Sequence, residues 1–176
     1  MGTKHTETFA PKIYVACLAA YNNGILHGRW IDAYQDADDI RAAIADMLRE
    51  SPIAGAEEYA IHDYEDFAGI AVEEYTGVDR VVELAAFAVE HGSLGAALFE
   101  HYGELQAARE AIEENYCGVY RALADYVEEL TTETTDIPEN LRAYIDWDAM
   151  ARDAELNGDL LTVKTAWDEV HVFWAR

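Results

Sequence analysis

Lys12-Ile13-Tyr14-Val15-Ala16-Cys17-Leu18-Ala19-Ala20 is a short, apolar, β-prone run, and Asn22-Asn23-Gly24 follows it almost at once. Asn and Gly tolerate the positive φ angles of tight hairpin turns, so this reads as a strand, a turn and a returning strand from Ile25 to Ala33. Beyond it, Asp36 or Asp38 is placed to cap a helix. Its apolar residues Ile40, Ala43, Ile44, Met47 and Leu48 recur at i, i+3, i+4, i+7 and i+8, which describes one buried face. Ser51-Pro52-Ile53-Ala54-Gly55 ends that helix, and Glu57 to Tyr64 reads as a third strand with Tyr59 and Ile61 inward. The expected N-terminal unit is therefore β-β-α-β.

Outward from this unit, the chain from Gly77 to about Glu114 is Ala-rich and helical, with interruptions at Gly92 and Gly103. An amphipathic helix is expected over Arg121 to Thr131, with Leu123, Tyr126, Val127 and Leu130 on its inner side. Pro138 suits a helix first turn. Asp146 is placed to cap a further helix ending at Asn157-Gly158, and Asp159 to Thr165 and Asp168 to Trp174 read as two closing strands. The fold class is α+β, with no deep pocket dominating the surface. Composition shifts divide the chain into an N-terminal sheet and helix domain (11–76), a helical middle domain (77–115) and a C-terminal α+β domain (116–176).

At 176 residues, 51% hydrophobic and with 11 Tyr, 4 Trp and 5 Phe, the chain has ample material for a packed core. Its 35 Asp and Glu against 12 Lys and Arg give a formal net charge of −23. Lysine occurs only at positions 4, 12 and 164. A protein that neutralises phosphates needs clustered cations, so direct nucleic-acid binding is disfavoured and the expected partner is basic. Cys17 and Cys117 lie a hundred residues apart with no apolar leader before them, which favours reduced thiols in a cytoplasm. Residues 1–10 read as a polar tail, and no apolar run approaches the roughly 20 residues of a membrane span.

The acidic residues are not evenly mixed with cations. Nine fall between Arg49 and Arg80 with no Lys or Arg among them, and Asp125, Glu128, Glu129, Glu133, Asp136 and Glu139 repeat the pattern between Arg121 and Arg142. At about 100° per residue, Asp79, Glu83 and Glu90 share one helix face. By the same rule, Glu100, Glu104, Glu110 and Glu114 share an arc opposite Leu98, Leu105 and Ile112. A compact chain of this length is roughly 40 Å across. Spreading 23 net charges along it approaches one per about 1.7 Å, the axial charge density of duplex DNA. Self-repulsion on this scale opposes compaction, so it calls for a use. Salt adaptation of an ordinary cytoplasmic enzyme is one such use, and capture of a basic protein is another.

Catalytic signals are weak. The six histidines, His5, His27, His62, His91, His101 and His171, show neither H-E-x-x-H nor zinc-type Cys/His spacing. Gly92-Ser93-Leu94-Gly95 lacks the spacing of a nucleophile elbow. Asp36-Ala37-Asp38-Asp39 and Asp63-Tyr64-Glu65-Asp66 lack the glycine of a calcium loop. No catalytic residue, metal ligand or cofactor is expected, and among so many carboxylates any single glycosidase-like pair carries little weight.

Three stretches resemble the ArdA antirestriction family. The first is Tyr21-Asn22-Asn23-Gly24 with Gly28 and Trp30, and the second is Glu58-Tyr59-Ala60-Ile61-His62-Asp63-Tyr64-Glu65. The third runs from Asn115-Tyr116-Cys117-Gly118-Val119-Tyr120 through Leu123, Asp125, Tyr126 and Leu130 to Tyr144-Ile145-Asp146-Trp147 and Arg152-Asp153. Tyr116, Gly118, Tyr120, Leu123, Asp125 and Tyr126 lie in the part that resembles the family's antirestriction motif, where Ala122 stands in place of an expected Ser. The resemblance implies an elongated α+β protein of three small domains, dimeric and without enzymatic activity. It also implies a DNA-like acidic surface that occupies the methyltransferase core of type I restriction-modification enzymes and protects incoming mobile DNA. On that reading the contact surface is drawn from Asp79, Glu83, Glu90, Glu100, Glu104, Glu110, Glu114, Asp125, Glu128 and Glu129.

Overall fold

The computed structural model describes residues 8–175, so most of the expected polar tail lies outside the described residues. The chain is mixed α+β and divides into two compact units, residues 1–96 and 97–176, each with a three-stranded antiparallel sheet.

In the first unit, β1 (Lys12–Cys17) is the central strand, flanked by β2 (Gly28–Asp32) and β3 (Tyr59–Glu65). The connection between β1 and β2 differs from the expected tight hairpin. Leu18-Ala19-Ala20 leaves the sheet and forms a short helix, α1 (Leu18–Asn22). Asn22-Asn23-Gly24 then terminates that helix. Gly24 takes φ 73°, its N–H donates to the Tyr21 carbonyl at 2.9 Å, and Ile25 N–H donates to the Ala20 carbonyl at 3.0 Å. Those paired bonds are the helix-ending Schellman pattern, in which the glycine supplies the left-handed residue. Asn-Gly serves both hairpins and helix ends, and here three good helix formers, Leu18, Ala19 and Ala20, precede it and favour the helix.

α2 (Ala37–Arg49) packs against β1 and β2, burying Ile40, Ile44 and Met47 as the periodicity requires. Asp36 occupies the N-cap position, but its side chain makes no capping bond. Ile13, Val15, Ile31, Ala60, Ile61, Phe67, Ile70 and Val72 are also buried in this unit.

α3 (Val78–Tyr102) buries Val81, Leu84, Ala85, Phe87 and Ala88. It leaves helical geometry at Gly92, with φ 54° and ψ −147°, where the sequence suggested an interruption. By length and composition alone α3 is apolar enough to cross a membrane, contrary to the expectation that no segment comes near that length. Its apolar character has a simpler source in the buried row from Val81 to Ala88, and the break at Gly92 divides it.

In the second unit, α4 (Leu105–Glu114) leads into β4 (Tyr116–Tyr120), a strand that the sequence reading missed. Then come α5 (Leu123–Thr134), the single turn α6 (Glu139–Arg142) and α7 (Trp147–Leu156). The closing strands are β5 (Leu160–Ala166) and β6 (Glu169–Trp174). Pro138 sits at the N-cap of α6 rather than inside its first turn. Asp146 caps α7 as expected, its Oδ1 accepting Ala149 N–H at 2.9 Å. The sheet order is β4-β6-β5, so the last strand is the central one. Tyr126 and Val127 of α5 and Ala151 of α7 form a core with Leu160, Val170 and Val172, and α4 contacts β4 and β6. With helices contributed to its surroundings, β6 is buried at four consecutive positions, Val170 to Phe173.

Candidate interaction surface

The six residues of the motif-like region come together on β4 and the start of α5. Gly118 sits at a bulge in the β4–β6 ladder with φ 135°, a backbone conformation that L side chains rarely adopt. A Cβ placed there would approach the Tyr120 ring at 3.2 Å. Leu123 and Tyr120 pack against the core formed in part by Tyr126. Tyr120 hydroxyl donates to Glu129 at 3.2 Å, across the first turns of the helix. Tyr116 is 42% exposed, and its ring lies against His171 and Phe173 of β6, its partner strand.

Helix α5 starts with half of a capping box. Asp125 Oδ2 accepts the Ala122 N–H at 3.0 Å, but Ala122 has only a methyl group where the reciprocal acceptor would stand. The phenols respond to this packing. Burial first, and Glu129 second, push Tyr120 above the ordinary phenol value. Burial and the Cys117 thiol push Tyr126 up much further. Burial, with Glu169, raises Tyr116.

All ten carboxylates proposed from the sequence as a contact surface are exposed. They are not equally bare. Asp79 receives Arg41 at 2.6 Å, a bond that, with Asp38, raises the Arg41 pKa. Glu83 pairs with Arg80 at 3.0 Å, and Glu90 lies 3.5 Å from His91 Nε2. The first row is therefore partly neutralised, by a cation from α2 that no local reading of the segment supplies. Asp125 is engaged as a cap, Glu129 by Tyr120, and Glu110 by Gln106 at 2.9 Å.

The second row is not one helical arc. The chain turns at Gly103, φ 75°, and Glu104 is extended at φ −131° and ψ 134° as the N-cap of α4. Helical spacing relates Glu110 to Glu114 within α4, while Glu100 belongs to α3. The extrapolation across residues 98–114 failed because one residue with positive φ resets the phase of the helix.

Two features of the surface escaped the sequence. One is the contact of Tyr116 with buried His171, hydroxyl to Nδ1 at 2.9 Å, with Thr165 Oγ1 3.0 Å and Glu169 Oε1 3.2 Å from Nε2. The β4–β6 pairing creates it over 55 residues of chain, so only the missed strand could have signalled it. The other is a recess of about 470 Å³ in the first unit, lined by Tyr21, His62, Glu74 and their neighbours. Among the described residues, no three or more His, Cys, Asp or Glu are grouped to hold a metal ion, and Cys17 and Cys117 are free thiols.

Two small sheets with their helices, an exposed set of carboxylates and a net charge of −23 define an acidic α+β protein whose surface chemistry suits cationic partners. The chain belongs to the family described as Antirestriction protein (ArdA), which it matches over residues 13–169. It is thus an antirestriction protein, and the family is one of inhibitors rather than enzymes. The family resemblance read from its three sequence stretches is the one that the match establishes. No curated protein matches the chain.

Proposed function

We propose that the chain acts in the cytoplasm as a mimic of duplex DNA, occupying the DNA-binding groove in the methyltransferase core of a type I restriction-modification enzyme. The observation that carries this reading is the exposure of all ten named carboxylates on a chain of net charge −23. A groove that binds DNA is lined with Lys and Arg that contact successive phosphates, so a surface of many carboxylates engages it by distributed electrostatics. Membership of an antirestriction family supports a restriction enzyme as the target.

The test is competition. The purified methyltransferase core is held on labelled duplex DNA and the protein is added at several salt concentrations. Displacement of the duplex, weakening as salt rises, is expected. A methyltransferase that keeps its DNA at every protein concentration would overturn the proposal.

The protein is further proposed to act as a homodimer. Apolar side chains stand exposed in the second unit, among them Tyr144 and Trp167, which are 85% and 88% exposed. Sedimentation over a micromolar concentration series checks this, and a strictly monomeric species would contradict it.

A further inference from the structure

The recess in the first unit is built by a defect in the sheet. Val15 of β1 pairs with Ile61, and the next pair joins Tyr14 to Asp63, so His62 is the extra residue of a β-bulge. Bulges re-aim side chains, and here His62 lies between Tyr21 of α1 and Glu74 of the segment that follows β3. Tyr21 of α1 meets its ring edge-on, with centroids 4.7 Å apart. On the other side, Ile61 N–H donates to the Glu74 carbonyl at 2.9 Å, which fastens the segment after β3 alongside the strand. That bond brings the Glu74 carboxylate within 4.0 Å of His62 Nε2. Ile61 and Val72, both buried, contribute apolar lining, and Asp63 adds a second carboxylate, whose Oδ1 accepts the Tyr64 N–H at 2.8 Å and whose other oxygen can accept a further donor.

An apolar lining, an exposed aromatic ring and two carboxylates form a specific chemical combination. The carboxylates repel anions, and the described residues offer no set of three ligands for a metal ion. A lysine ammonium is a compact, strongly hydrated point charge that gives up more hydration than a guanidinium to lie on a ring and cannot stack flat on it. A guanidinium is planar, weakly hydrated, stacks on aromatic faces and donates in a fork that carboxylates accept.

We propose that the recess bounded by Tyr21, His62, Asp63 and Glu74 receives one arginine side chain of the basic partner protein, stacked against Tyr21 and donating to the two carboxylates. This rests on the reading of the chain as a ligand of a cationic protein groove. It adds a discrete anchor to a surface that otherwise acts through summed charge.

The experiment is a titration of the isotopically labelled full chain with N-acetyl-arginine N-methylamide, followed by NMR, with the matching lysine and citrulline compounds as controls. Saturable shifts confined to Tyr21, His62, Asp63 and Glu74 are expected for arginine. Lysine should bind more weakly and citrulline not at all. Tyr21→Ala should weaken arginine binding roughly two- to five-fold, the loss expected for a cation–π contact at an exposed site. Glu74→Gln should weaken it comparably, and Tyr21→Phe, which keeps the ring, should leave it unchanged.

Shifts spread evenly over all carboxylates, equal binding of lysine or citrulline, or indifference to Tyr21→Ala and Glu74→Gln in folded variants would each overturn the proposal. The competition assay separates the two readings. If arginine finds no local site while duplex is still displaced, the anchor fails and the mimic stands. If arginine binds here while duplex is never displaced, the mimic fails and the recess serves a different basic protein.

Discussion

Ala122 begins α5 with extended backbone angles, φ −145° and ψ 156°, the conformation of an N-cap residue. Asp125 already reaches back to its N–H, so a hydroxyl at position 122 would complete the reciprocal pair. Ala122→Ser is expected to stabilise the protein by about 0.5 to 2 kcal/mol, measured by urea denaturation at neutral pH. The Ser expected there from the family resemblance thus has a structural role open to it, as a helix cap.

Tyr126 carries a second prediction at the residue scale. Burial raises its folded-state pKa above the unfolded phenol value of about 10, so the folded state holds the proton longer. The resulting stability is fully present below about pH 10 and is lost as pH rises from there toward the folded value. Denaturation midpoints should therefore fall steeply above pH 10. Tyr126→Phe should flatten that fall, and an unchanged slope would show that Tyr126 does not govern it.

At the scale of elements, β4 is where the sequence was hardest to read. Asn115-Tyr116-Cys117-Gly118-Val119-Tyr120 is short and carries a glycine that demotes a strand, yet β6 pairs along it with a bulge at that glycine. Gly118→Ala should cost about 1 to 3 kcal/mol, since alanine must adopt φ 135° while its Cβ presses on the Tyr120 ring. Thermal unfolding of the variant checks this, and unaltered stability would mean that the bulge relaxes freely.

β6 should be less forgiving. Phe173 is fully buried, and Phe173→Ala is expected to lose about 3 to 5 kcal/mol through lost burial and the cavity left behind. Helices α2 and α5 were legible because their apolar positions recur at helical spacing, and α7 because Asp146 caps its start and Asn157-Gly158 marks its end. The β1–β2 hairpin was misread because Asn-Asn-Gly serves two geometries, and residues before it, not within it, decide between them.

On the scale of the whole molecule, the proposed mimicry is expected to draw on the summed charge of the ten named carboxylates, with the recess at His62 as a separate local anchor. Replacing any one of Glu100, Glu104, Asp125 or Glu128 by its amide should weaken inhibition by about 0 to 1 kcal/mol, as exposed ion pairs do. Replacing Glu100, Glu104, Glu110 and Glu114 together should slow association and flatten its salt dependence. Stopped-flow association with the methyltransferase core at several ionic strengths measures both. A single amide that abolishes inhibition, beside a neutralised row that changes nothing, would point to a discrete site in place of a distributed surface.

What the amino-acid sequence determined by itself was the sign and size of the charge, the α+β class, the amphipathic helices and the family. These are sums, periodicities and short-range patterns, and they survive without knowledge of which segments meet. The tertiary structure alone decided which carboxylates are paired and which side chains face each other across long separations. Arg41 reaches Asp79 from another helix, Tyr116 meets His171 through a strand pairing, and Glu74 comes to His62 through one backbone bond. Each contact depends on the register and packing of elements far apart in the chain, and a one-residue shift in a strand turns its side chains to the opposite face. Charge is therefore readable from composition, whereas the shape of the surface that presents it is a property of the fold.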